Sequence, residues 1–150
     1  MKEKAALEEM LKGVLASQAL AVIATQKQGQ PFANLVAFAA TEDLKHLIFA
    51  TTRATRKFAN LKAEERVALL VDNRRNEASD FGHAVAVTAF GRATEVKDAE
   101  REPFLDLYLA KHGYQRGFAT APTCALIKVA IERYEVVRRF QNVLELRVRP

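Results

Sequence analysis

The sequence predicts a mainly β domain: an antiparallel barrel, closed or nearly closed, with helices packed on its outside. Three observations lead there. Five to seven short apolar segments read as strands, against only three helical segments. Most strands follow one another directly, as a meander does and a parallel α/β sheet does not. One hairpin is explicit at Gln28-Gly29-Gln30-Pro31, a turn signal between two apolar runs. The 150 residues suffice for one sizeable core and form a single domain, 1–150.

Leu7, Met10, Leu11, Val14 and Leu15 recur at helical spacing, so residues 3–17 are expected to form an amphipathic helix. Residues 20–26 and 32–40 are the strands of the hairpin. A polar turn over 41–46 precedes a third strand, 47–51. Residues 55–63 have Phe58 and Leu61 on one helical face, and Thr55 suits the N-cap, since its hydroxyl accepts from an early backbone N–H. Residues 67–71 are almost continuously apolar, which predicts a fourth strand buried on both faces. Residues 72–82 are polar and read as a long loop. His83 then opens a fifth strand, 83–90, extending past Gly91 toward Val96. Residues 98–112 read as a helix, in which Pro103 fits if the helix starts near Glu100 and places it in the first turn, and Gly113 stops it. Residues 124–134 and 143–148 are late strands.

Several functional classes drop out early. Cys124 is the single cysteine, so there is no disulfide framework and no cysteine-rich zinc site. His46, His83 and His112 match no metal-ligand spacing, and no metal site is expected. No apolar run approaches the roughly 20 residues of a membrane helix. The charged N-terminus is unlike a signal peptide. A cytoplasmic protein without membrane attachment is expected. The net charge of +5 suits an anionic ligand, but the charge is scattered and no basic strand carries interleaved aromatics. A nucleic-acid partner is not expected.

The stretch that carries chemistry is Thr51-Thr52-Arg53-Ala54-Thr55-Arg56-Lys57, where the third strand gives way to a helix. The first N–H groups of a helix have no internal partners, and the helix dipole places partial positive charge there. Arg56 and Lys57 add full charges at that same end, where they oppose the dipole. A bound phosphate relieves the conflict and accepts hydrogen bonds from hydroxyls, backbone and guanidinium. The same residues also fit a capped helix with a solvated basic first turn. A P-loop and a Gly-x-Gly-x-x-Gly turn are both absent.

The succession of these pieces is Gly29-Gln30-Pro31, strand, turn, strand, Thr51 to Lys57, Asn60-Leu61, Arg66-Val67-x-Leu69, then a strand to Gly91. It resembles the pyridoxamine 5′-phosphate oxidase-like FMN-binding split barrels, over about residues 7–97 and best from Gly29 to Val71. The resemblance implies an antiparallel split β-barrel. It implies FMN as cofactor, with the phosphate on Thr51, Thr52, Thr55, Arg56 and Lys57, and the isoalloxazine ring facing the backbone of Asn34, Leu35 and Val36. It also implies a homodimer with the cofactor at the subunit interface. The oxidases proper carry an Arg where this chain has Asn34, a substrate-phosphate Lys where it has Ala39, and a flavin-contacting Gln where it has Ala86. Residues 140–150 lack their Trp and Arg pattern. The expected function is therefore an FMN-dependent oxidoreductase acting on a small molecule or a redox protein, and not a pyridoxamine phosphate oxidase. The alternatives are a split barrel binding a deazaflavin or haem, and a non-enzymatic binding protein with a basic surface.

Other residues read more plainly. Cys124 is expected to be a buried, inert thiol. Tyr108 and Tyr114 flank the long late helix and suit packing, or cover for a flavin. Arg74 and Arg75 suit a solvated loop, or contact with an anionic substrate or the partner's cofactor; His83 suits a strand end, or a proton donor in a flavin pocket, and a haem would need His83 or His112 as ligand. No catalytic acid or base is identifiable.

Overall fold

Gln28 and Gly29 both take positive φ, 50° and 83°. That type I′ geometry matches the twist of two antiparallel strands, and glycine adopts it without steric cost. It joins β1 (Leu20–Lys27) to β2 (Gln30–Ala40). The computed structural model describes residues 2–150. The remaining strands are β3 (His46–Thr52), β4 (Arg66–Asp72), β5 (Val85–Glu95), β6 (Cys124–Arg138) and β7 (Asn142–Arg147). The helices are α1 (Lys2–Ser17), α2 (Arg56–Ala63), α3 (Asp80–His83), α4 (Arg101–Lys111) and α5 (Arg116–Ala119).

Every strand pairing is antiparallel, in the order β3-β2-β1-β4-β5-β6-β7. A further pairing of β3 with β6 closes the first six strands into a barrel, and β7 lies outside it along β6. The predicted mainly β barrel with external helices is therefore the observed architecture. The barrel is split at one place: β2 meets β3 only through residues 38–40, so β2 before residue 38 has no strand on its second side.

Burial follows strand alternation where one face is covered and fails where two are. Val67, Leu69 and Val71 of β4 are buried while Ala68 and Leu70 are only half-buried, so β4 is not the doubly buried strand its apolar run suggests. That strand is β3, with residues 47–51 all buried. Leu47 and Phe49 point into the barrel with Ile23, Phe38, Leu69 and Val87. Ile48 and Ala50 point outward, beneath Tyr108, Leu109 and Ala119 of α4 and α5. Each large apolar side chain so buried contributes about 1.5–3 kcal/mol. Leu11, Val14 and Leu15 of α1 complete the inner core.

The predicted loop 72–82 is partly ordered. The Asp80 carboxylate accepts from the backbone N–H groups of Arg75, Asn76 and Glu77 and starts α3, so His83 ends a short helix instead of opening β5. At α4 a 3₁₀ turn over Asp98–Glu100 comes first, which leaves Pro103 in the first α-turn, where its missing N–H costs nothing. The alternation of β5 runs unbroken through Val87, Ala89, Gly91 and Ala93, and that of β6 slips at a bulge between Ile131 and Arg133, opposite Phe90 and Gly91. There Gly91 lies against the Ala130 backbone, and a Cβ would collide with the Ala130 carbonyl.

Lys111 ends α4 and donates from Nζ to the Leu15 carbonyl at 2.8 Å, with the ammonium 3.9 Å from the Phe38 ring centroid. No carboxylate pairs with it among the described residues. Burial pushes its pKa down to about 8. The folded value lies below the unfolded one, so between about 8 and 10.4 the unfolded chain holds the extra proton. Stability is therefore expected to rise with pH across that window. Urea unfolding at pH 8 and pH 10 should show the rise in the unaltered chain and a flatter response in Lys111→Met.

No helix among the described residues is long and apolar enough to cross a membrane.

Candidate functional site

The turn from β3 to α2 is organised by hydroxyls. The Thr55 hydroxyl accepts from the Phe58 N–H at 3.1 Å and donates to the Thr52 carbonyl at 3.1 Å. Thr51, buried at the end of β3, lies 3.1 Å from the same oxygen. Thr55 is thus the N-cap of α2. The cap uses one N–H, and those of Arg56 and Lys57 remain without an intrahelical partner. Buried Asn60 on α2 donates to the Thr25 hydroxyl of β1 at 3.1 Å, which fixes the helix against the barrel.

The three cations of this segment separate into two roles. Arg53 donates to the carbonyls of Pro122 and Cys124 at 3.0 Å each and to Glu95 Oε2 at 2.6 Å. It ties the turn to β5 and the start of β6 and does not line the cleft beside Lys57. Arg56 stands over the Phe32 ring at 5.1 Å. Lys57 is half-buried, and that burial lowers its pKa. Neither Arg56 nor Lys57 makes an ion pair among the described residues. A desolvated ammonium without an anion is costly unless something negative comes to it.

Lys57 borders a cleft of about 380 Å³, within the size range of small-ligand pockets. Leu35, Val36 and Ala37 of β2 line one side, and Thr51, Thr52 and Thr55 the end beside Lys57. Tyr108, Tyr114 and Phe118 of the α4–α5 region line the other side. Strand parity decides which backbone groups face it. The Phe38 N–H donates to the Ala19 carbonyl, on the β1 side, so even-numbered residues of β2 bond toward β1. The N–H and C=O of Leu35 and Ala37 therefore point to the unpaired edge.

Most of the predicted site residues meet here. Leu35, Val36, Thr51, Thr52, Thr55 and Lys57 share the cleft, whereas Asn34 and Arg56 do not line it. Asn34 is exposed, and its backbone bonds toward β1 by the same parity. Arg56 is drawn to Phe32. Phe118 and Leu20 complete the apolar rim and carry no signal that a sequence reading would detect. No histidine lines the cleft. His112 is buried, its Nε2 2.7 Å from the Phe38 carbonyl, while His83 is exposed on α3. Cys124 is buried, and burial raises its thiol pKa, as an inert thiol requires.

Comparison with known proteins matches the family model described as pyridoxamine 5′-phosphate oxidase to residues 7–138, most of the chain. The chain belongs to the pyridoxamine 5′-phosphate oxidase family. No curated protein matches it. Among solved structures, a haem-binding protein from Mycobacterium smegmatis superposes with a TM-score of 0.82 at 14% identity, covering 93% of this chain. The match spans 57% of that protein's own length. A FAD-binding protein from Mesorhizobium loti superposes at 0.69 with 20% identity, covering 87% of this chain and 90% of that one. General Stress Protein 26 from Bacillus anthracis superposes at 0.67 with 18% identity, covering 95% and 98%. At these identities the likeness is one of fold.

Two positions that the resemblance gives substrate or flavin contacts in the oxidases proper hold alanines. Ala39, where the resemblance puts a substrate-phosphate lysine, is a buried methyl under the α4 side. Ala86 is half-buried on β5, opposite Asp72 and Val137. Neither offers a hydrogen bond from its side chain.

Proposed function

We propose that the chain is an FMN-binding flavoprotein, an FMN-dependent oxidoreductase that works as a homodimer and does not oxidise pyridoxamine phosphate. The observation that carries the cofactor assignment is Lys57, half-buried and without an anion beside two free helix N–H groups and the Thr51–Thr55 hydroxyl pair. That donor set fits a phosphomonoester. Thr51, Thr52, Thr55 and Lys57 would hold the phosphate, with Arg56 approaching from the Phe32 side. The unpaired N–H and C=O of Leu35 and Ala37 would meet the polar edge of a flat ring, and Tyr114 and Phe118 would exclude water from its face. Bound FMN supplies one- and two-electron redox chemistry. The chain contributes no charged acid or base to the cleft other than Lys57.

The dimer rests on an apolar rim. Leu35 is 66% exposed, Leu20 51%, Tyr114 76% and Phe118 40%, all around one cleft. Such a cluster marks an interaction surface, and a second copy covering it would close the pocket. Sedimentation should show a dimer that Leu35→Asp converts to monomer, with loss of flavin affinity; a monomeric unaltered chain removes this part of the proposal.

The cofactor is tested by the visible spectrum of the purified protein before and after addition of FMN, with the released cofactor identified by mass. Stoichiometric FMN supports the reading, and a protein that ignores FMN overturns it. A deazaflavin shares the phosphate chemistry and is the second ligand to titrate. Haem is favoured by the fold of one structural relative, but the cleft lacks a histidine to ligate it.

A further inference from the structure

A second groove lies far from the cleft, between α1 and β7. The two elements diverge there for a simple reason. The C-terminal half of α1 is anchored by Leu11, Val14 and Leu15, while Leu7 and Met10 nearer its start are only partly buried. β7 pairs with β6 alone, so its outer edge faces open space. The gap between them has a volume of about 1110 Å³, much larger than the cleft beside Lys57. Its apolar lining is Leu7, Met10, Leu144, Leu146 and Val148.

Its charged lining is predominantly basic: Lys4, Arg138, Arg147 and Arg149, against Glu3 and Glu145. Arg147 is paired with Glu145 at 2.7 Å. Arg138 makes no ion pair among the described residues, and its Nε is buried with no hydrogen-bond acceptor. A buried donor left unpaired in a native fold calls for a partner. A carboxylate is the group that a guanidinium fork holds in two parallel hydrogen bonds.

We propose that this groove binds a long-chain carboxylate, its head on Arg138 and its alkyl chain along Leu7, Met10, Leu144 and Leu146. Five apolar side chains along the groove suit a flexible unbranched chain better than a compact polar metabolite. Arg138 at the β6–β7 hairpin sets the end at which the head group sits, and Lys4 and Arg149 add unpaired positive charge at the rim. The site is independent of the cofactor cleft, so occupancy of one does not require the other.

The test is calorimetric titration of the full chain with saturated carboxylates from decanoate to tetradecanoate, each below its micelle concentration, and with tetradecanol. Affinity is expected to rise roughly fourfold per added methylene until the groove is filled. Arg138→Gln should weaken tetradecanoate at least tenfold while changing tetradecanol by less than about twofold. Leu144→Gln should weaken both, and it tests the chain subsite should Arg138→Gln fail to fold. Saturable binding with that pattern establishes the site. Absence of saturable binding, equal carboxylate affinity with Arg138→Gln, or association only with anionic vesicles and not with monomeric carboxylate overturns it. So would competition by an unrelated extended peptide but not by carboxylate, which would assign the groove to strand addition on β7.

Discussion

Lys57→Ala is expected to bind FMN tenfold to a hundredfold more weakly than the unaltered chain. A hydrogen bond to a charged group is worth about 1.5–3 kcal/mol, and every 1.4 kcal/mol is a factor of ten in affinity. The effect should sit at the upper end because Lys57 is already half-desolvated without a partner. The free protein therefore bears the cost of burying it, and a bound phosphate recovers that cost. Arg53→Ala provides the contrast. Its guanidinium is committed to Pro122, Cys124 and Glu95, so the substitution should lower the melting temperature more than the flavin affinity. Fluorescence titration of FMN at fixed ionic strength separates the two. Equal flavin affinity in Lys57→Ala, Arg56→Ala and the unaltered chain would mean that the phosphate lies elsewhere.

Gly91→Ala should destabilise the domain by about 3 kcal/mol, at the upper end of overpacking effects. A Cβ at this position meets the backbone carbonyl of Ala130, which cannot swing aside as a side-chain tip would. The neighbouring strand must move, and that strand is β6, which pairs with β3, β5 and β7 at once. Relief at Gly91 therefore disturbs three ladders. Urea denaturation measures the loss, and a change below about 0.5 kcal/mol would show that the bulge opposite Phe90 and Gly91 absorbs a methyl group.

The architecture was legible because its signals are local. Gln28-Gly29 set a hairpin and Thr55 a cap, and each is decided by a few bonds within a few residues. The doubly buried strand was misassigned for the opposite reason. The apolar run of β4 and that of β3 look alike, and only the return of α4 and α5 over β3 buries its second face. The candidate site divides in the same way. Thr51, Thr52, Thr55 and Lys57 lie on one short turn and were visible together. Arg53 could not be told from Arg56 without Glu95 and the 122–124 segment, which are distant in sequence. Asn34 lies off the cleft because pleat parity turns its backbone toward β1. The short helix α3 depends on one carboxylate, Asp80, folding a polar segment back on itself.

The pairing of β3 with β6 also governs how the chain can reach its fold. Residues 46–52 bond to residues 124–130, with two strands and the α4–α5 region between them in sequence. On a ribosome, β3 emerges roughly 4–15 s before its partner at ordinary synthesis rates. During that interval the backbone of Leu47, Ile48 and Phe49 has only the three-residue ladder with β2 for strand pairing. Closure is thus a late, non-local event of the kind that slows β-rich folding. The nascent chain carries an apolar, unpaired edge until β6 is made, and any interruption of synthesis before residue 130 leaves a product that cannot bury it.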